Sequence, residues 1–249
     1  MVSSTRAFAV VLIGCGLGLG SMAQTRAEPE IGAVFQRPYL GAAGARVDGT
    51  RETLYFNTTV YADETVATES GGSTAIEFHD GTKLQVGASS TVVLDSFVYD
   101  PDSGAGEAVL SFSKGIFRFV SGDIPEETLR LETPSASLTI RGTTFVLAVD
   151  EAGNTDVWVV EGAVEATPRQ GAPATARAGQ SLVVVLGTPG VAVIDGRTGA
   201  RDPAVESNLT RFGVPGGGNG DRPSPSGSPG GNSGSGGSGG SRSDGGKGN

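Results

Sequence analysis

Between residues 28 and 212 the pattern is almost entirely that of β-strands, and the recurring period of two constrains the fold more than any single motif. Thr74-Ala75-Ile76-Glu77-Phe78, Lys83-Leu84-Gln85-Val86 and Leu129-Arg130-Leu131-Glu132 alternate in this way. So do Val109-Leu110-Ser111-Phe112, Gly115-Ile116-Phe117-Arg118-Phe119-Val120 and Ala136-Ser137-Leu138-Thr139-Ile140. Successive side chains of a strand point to opposite faces, so such runs bury one face and wet the other. Residues 181–186 and 191–194 are continuous apolar runs bounded by Gly and Pro, as buried strands are. Asp48-Gly49, Asp80-Gly81, Gly153-Asn154 and Pro189-Gly190 supply turn chemistry between the runs. No stretch beyond residue 27 carries the i, i+3, i+4, i+7 stripe of a surface helix; residues 203–211 come nearest and are short. Many short strands about ten residues apart predict an all-β chain: a sandwich, a barrel or a solenoid.

One run contains an irregular step. In Leu138-Thr139-Ile140-Arg141-Gly142-Thr143-Thr144-Phe145-Val146-Leu147-Ala148-Val149 a glycine interrupts an otherwise strand-forming segment. Gly inside a strand marks a bulge or a close approach of two backbones, so Gly142 is read as architectural and Phe145 as a core residue. Arg141 is a candidate partner for Asp150 or Glu161. An acidic turn follows, and then Val157-Trp158-Val159-Val160-Glu161-Gly162-Ala163-Val164. Trp158 faces opposite to its two neighbours, either capping the core or lying exposed to a partner.

Together with Ser73-Thr74-Ala75-Ile76-Glu77-Phe78-His79-Asp80-Gly81-Thr82-Lys83-Leu84 and Val93-Leu94, these segments resemble the FecR domain, the periplasmic β-domain of bacterial cell-surface signalling regulators. The resemblance is strongest over residues 60–166. It rests on the step formed by Arg141, Gly142, Thr143 and Phe145, followed by Glu161 and Gly162. It implies a solenoid-like or rolled β-structure of many short strands, with a β-sandwich as the alternative, and a periplasmic or cell-surface location in a Gram-negative bacterium. The family's regulators place this domain behind a transmembrane helix and a cytoplasmic segment that controls a sigma factor, and they sense an outer-membrane receptor. Here six residues precede the apolar segment, so a direct anti-sigma role is not expected. The expected partner is an envelope protein such as an outer-membrane receptor.

The ends are expected to lie outside the β-domain, which is assigned to residues 28–212. Residues 1–27 have the layout of a secretory signal peptide: a cation at Arg6, an apolar run from Ala7 to Gly20, and small residues at Ser21, Ala23, Thr25 and Ala27. The run falls short of the 20 or so apolar residues that span a membrane, so no transmembrane helix is expected in the mature chain. Leu12-Ile13-Gly14-Cys15 also fits a lipoprotein signal, with a lipid anchor at Cys15 as the alternative, but the apolar run continues to Gly20 and favours ordinary cleavage. Residues 213–249 contain 16 Gly and 8 Ser among 37 residues and no aromatic, so they are expected to form a disordered tail. Without residues 1–27, which hold Arg6 and Arg26, the formal charge moves from −9 to −11. That balance disfavours nucleic acid and anionic lipid as partners.

Catalytic chemistry finds little foothold. His79 is the only histidine and Cys15 the only cysteine, which leaves a charge-relay triad without a base and zinc without its usual ligands. His79 shares a strand face with Ala75 and Glu77 and is expected to point to solvent at a hairpin end. Asp100, Asp102 and Glu107 flank two glycines and make a calcium-loop candidate, although Pro101 and the spacing differ from an EF-hand, and an ordinary polar loop is the better reading. Glu126, Glu127, Glu132 and Asp150 carry no motif for glycoside hydrolysis, and no phosphate loop is present. The expectation is a non-enzymatic interaction or signalling module without a cofactor. A structural or adhesive envelope protein that binds glycan or calcium is the alternative.

Overall fold

The computed structural model describes residues 28–39 and 41–196. The expected signal peptide, the alternative lipid anchor at Cys15, the weak helical candidate at 203–211 and the expected tail at 213–249 lie outside the described residues. Within them the chain is all-β, with one 3-10 turn at Glu126–Thr128. The first strands are Glu30–Val34 (β1), Ala42–Ala45 (β2), Arg51–Thr53 (β3), Thr59–Tyr61 (β4) and Glu64–Thr68 (β5). Thr74–Phe78 (β6), Lys83–Val86 (β7), Thr91–Asp100 (β8) and Ala105–Val120 (β9) follow. Leu129–Glu132 (β10), Ala136–Val149 (β11), Thr155–Pro168 (β12), Ala174–Arg177 (β13), Gln180–Val184 (β14) and Ala192–Asp195 (β15) complete the order.

All 15 strands belong to one sheet that folds back on itself, in agreement with a rolled β-structure. The three long strands make the roll, because each has its two halves in different layers. In the first layer the order is β3-β2-β5-β8, then the first half of β9, β10, the first half of β11, the second half of β12, and β13. In the second it is β4-β1-β6-β7, then the second half of β9, the second half of β11, the first half of β12, β14 and β15. The β9/β10 pair is parallel and the other strand pairs are antiparallel.

The core lies between the layers. Phe78 of β6 stacks on Phe97 of β8 with ring centroids 4.6 Å apart, and Phe112 meets Phe117 edge to face across the bend of β9. Phe117, Phe119 and Phe145 are fully buried, as are Leu84, Leu110, Leu131 and Leu138. All but Phe145, which heads a continuous apolar run, belong to alternating runs, so the period in the sequence is the inward face of one layer or the other. The outward face of the second layer is partly apolar. Gln85, Arg118, Val146, Trp158, Ser181 and Ile194 line up in register across six strands, and Val146 and Ser181 are buried although they point away from the core. Trp158 is half-buried in this row, so it neither enters the core nor stands free.

Candidate interaction surface

The strands change layer where glycine permits it. Gly115, Gly142 and Gly162 have φ of 114°, 54° and 77°, a region that side-chain-bearing residues adopt at a cost. β11 and β12 bend together: Arg141 pairs with Ala163 before the bend and Thr144 with Glu161 after it, with a register shift between. A Cβ on Gly162 would overlap the carbonyl oxygens of Gly142 and Arg141, whereas one on Gly142 would meet only Glu126 Oε1, at 3.4 Å. The close approach therefore falls on Gly162, and Gly142 is needed for its backbone angle.

Thr143 is buried beside this bend; its N–H donates to Ser121 Oγ at 3.0 Å and its carbonyl accepts from the Ser121 N–H. Phe145 is fully buried against Phe119. Arg141 and Glu161 are exposed, and among the described residues Arg141 forms no ion pair with Asp150 or Glu161. Asp150 instead accepts from the backbone N–H and the Nδ2 of Asn154, both at 2.8 Å, and closes its own turn.

At β9 the crossing is held by hydroxyls. The Ile116 N–H donates to Ser90 Oγ at 3.0 Å, and the Ser90 N–H donates to Thr68 Oγ1 at 3.0 Å. A second buried staple is the Asp80 carboxylate, which accepts from the Thr82 N–H, the Thr82 hydroxyl and the Ile124 N–H. The Asp80-Gly81 turn thus anchors a loop that follows β9, while His79 is exposed beside it.

The calcium-loop residues are not brought together. Asp100 spends both oxygens on its own turn, accepting from the Asp102 N–H and the Ser103 hydroxyl, which hold its pKa below the usual carboxylate range. Asp102 is exposed, and Glu107 lies exposed on β9 opposite Val98. Among the described residues no group of three or more His, Cys, Asp or Glu side chains is placed to hold a metal ion.

A feature that no motif announced lies between the entry to β1, the β4–β5 turn and the bulge of β8. A cleft of about 420 Å³ is lined by Glu28, Pro29, Val47, Ala62, Asp63, Asp95, Ser96, Phe97 and Val98. Three devices build it. A register shift between Val93 and Ser96 bulges β8 and re-aims the residues that follow. Asp63 adopts φ of 60°, and its N–H donates to the Leu94 carbonyl at 2.7 Å. The Ala62 N–H donates to the Pro29 carbonyl at 3.0 Å and ties the entry of β1 to the same wall.

Beside this cleft Glu64 turns inward and is 2% exposed. Its Oε2 accepts from the Tyr61 N–H at 2.9 Å, and Gly44 leaves room for the other oxygen. Burial pushes the Glu64 carboxyl above its ordinary 4.5, opposed by the Tyr61 N–H and by Arg46, whose guanidinium lies 3.6 Å from the centre of the Tyr61 ring. The folded chain therefore holds this proton more tightly than the unfolded chain. Its contribution to stability is fullest below 4.5 and is lost as pH rises through the raised value. Glu64→Gln keeps the acceptor for Tyr61 and removes the titration. Urea midpoints of the variant, relative to the parent, are expected to rise as pH climbs from 4.5 towards neutrality. Parallel pH profiles of the two proteins would show that Glu64 is not desolvated in the fold.

Residues 64–165, which run from β5 into β12, match the family model described as FecR protein. Two crystal structures of a "putative anti-sigma factor" from Parabacteroides distasonis ATCC 8503, at 2.50 and 1.65 Å resolution, are similar to it at 14% sequence identity with a TM-score of 0.45. The similarity covers 60% of this chain and 64% and 65% of those chains, so this chain spans less than two thirds of their length. None of the curated proteins matches it.

Proposed function

We propose that this protein is an exported, non-enzymatic FecR-domain module of the bacterial envelope that acts in signalling by binding another envelope protein. The FecR match over residues 64–165 is the observation that carries this reading, because that domain serves regulators and not catalysts. The layout of residues 1–27, with its cation, apolar run and small residues, supports export. The acidic balance of the chain fits a protein partner better than a nucleic acid or an anionic membrane.

Cell fractionation followed by intact-mass measurement tests the export half. The mature protein is expected in the envelope fraction, beginning near Gln24 or Glu28. A diacylated species beginning at Cys15 would establish a lipoprotein, and a full-length cytoplasmic chain would sink the export reading. Crosslinking in the intact envelope tests the signalling half, with an outer-membrane receptor or another regulator as the expected adduct. Loss of the gene with no change in any envelope-responsive transcript would overturn it.

A further inference from the structure

The cleft between the entry of β1, the β4–β5 turn and the β8 bulge has a composition that specifies an occupant. Its charged lining is acidic: Glu28, Asp63 and Asp95. Arg46, next to Val47 in the chain, is committed to the Tyr61 ring and lies 3.8 Å from Glu52. The apolar lining includes Val47 at 74% and Val98 at 65% exposure, two of the most exposed large apolar side chains among the described residues. Phe97 adds a buried wall, and its ring continues into the core through Phe78. Val47 and Val98 thus leave apolar surface in water at the rim of an acidic cleft, the composition of an interaction site.

We propose that this cleft is a docking site for an extended segment of a protein partner that presents a lysine or arginine flanked by apolar residues. The inference rests on the reading of the chain as an interaction module and names the partner's chemistry. A long basic side chain suits the site because its hydrocarbon stem can lie on Val47, Phe97 and Val98 while its head meets the carboxylates. The volume falls within the range of about 300–1,000 Å³ that ordered ligands occupy. A compact divalent ion fits poorly, because the carboxylates are not gathered closely enough for a metal. A neutral apolar segment would desolvate three carboxylates without compensation, and an anionic one would meet like charge.

The test uses the full chain and a fluorescently labelled peptide, Val-Lys-Val-Arg-Val, with Val-Gln-Val-Gln-Val and Val-Glu-Val-Glu-Val as controls. The basic peptide alone should bind, and binding should weaken as salt is raised. Asp63→Asn with Asp95→Asn should lower its affinity by on the order of tenfold, with circular dichroism unchanged; Asn tolerates the left-handed angle at position 63. Val98→Ser should weaken binding severalfold and leave the salt dependence as it is. Equal binding of the glutamine peptide, or full affinity in the double Asn variant, would overturn the proposal. Crosslinking separates this site from the broader reading. If an envelope partner crosslinks equally to the parent and the double Asn variant, the module reading stands and the cleft falls. If the peptide results hold while the envelope yields no adduct, the cleft stands and the module reading falls.

Discussion

Replacing Gly162 by valine is expected to lower the unfolding free energy by about 3 kcal/mol or more, the combined order of a strained backbone angle and an overpacked contact. Both costs arise at one position: φ is 77°, and the new Cβ would collide with the backbone carbonyls of Arg141 and Gly142 on the partner strand. Neither strand can retreat, because Phe145 and Val164 hold their positions in the core on either side of the bend. Gly142→Val pays for its φ of 54° but has open space, so a loss of about 1–3 kcal/mol is expected there. Arg141→Ala should change stability by less than about 1 kcal/mol, as an exposed side chain with no ion pair among the described residues does. Urea denaturation of the three variants ranks them. A Gly162→Val protein as stable as the parent would mean that the two strands do not cross between layers in contact.

The second large effect is expected at Asp80. Its carboxylate, 3% exposed, receives the Thr82 N–H at 2.8 Å, the Thr82 hydroxyl at 2.7 Å and the Ile124 N–H at 3.2 Å. Thr82 is fully buried and Ile124 nearly so, so Asp80→Ala leaves donors that water cannot reach. Each orphaned donor costs about 1–3 kcal/mol, and the sum for the site should reach about 3 kcal/mol. Asp80→Asn retains one acceptor and should lose less. Hydrogen exchange locates the damage: the amides of Thr82 and Ile124 should lose protection in the Ala variant before those of β9 do. Uniform loss of protection, or none, would show that the carboxylate does not anchor this loop.

The all-β character was legible because alternation is a local property. Whether Leu84 and Val86 face inward follows from the pleat of one strand, whatever that strand pairs with. The Asp80-Gly81 and Gly153-Asn154 turns were readable for the same reason. Phe145 is in the core as the reading of the glycine step expects, and His79 is exposed, opposite in parity to Ile76 and Phe78. The glycine step in β11 was visible as a break in a strand-forming run.

Contacts between distant segments were decided by the tertiary structure. The Asp80 carboxylate reaches an amide 44 residues away, and nothing in a DG turn encodes that partner. The close approach at Gly162 appears only once the register of β11 on β12 sets its Cα against two carbonyls. Trp158 could be placed opposite Val157 and Val159 from its parity alone, but only the alignment of six strands shows the row in which it is half-buried. The cleft is the extreme case, because its walls come from four separate segments and its shape from a bulge in β8 and a left-handed Asp63. A strand's faces are fixed by dihedral preferences within a few residues. Which backbones approach, and which side chains converge, depends on register and on where the sheet bends, and those follow from the packing of the whole core.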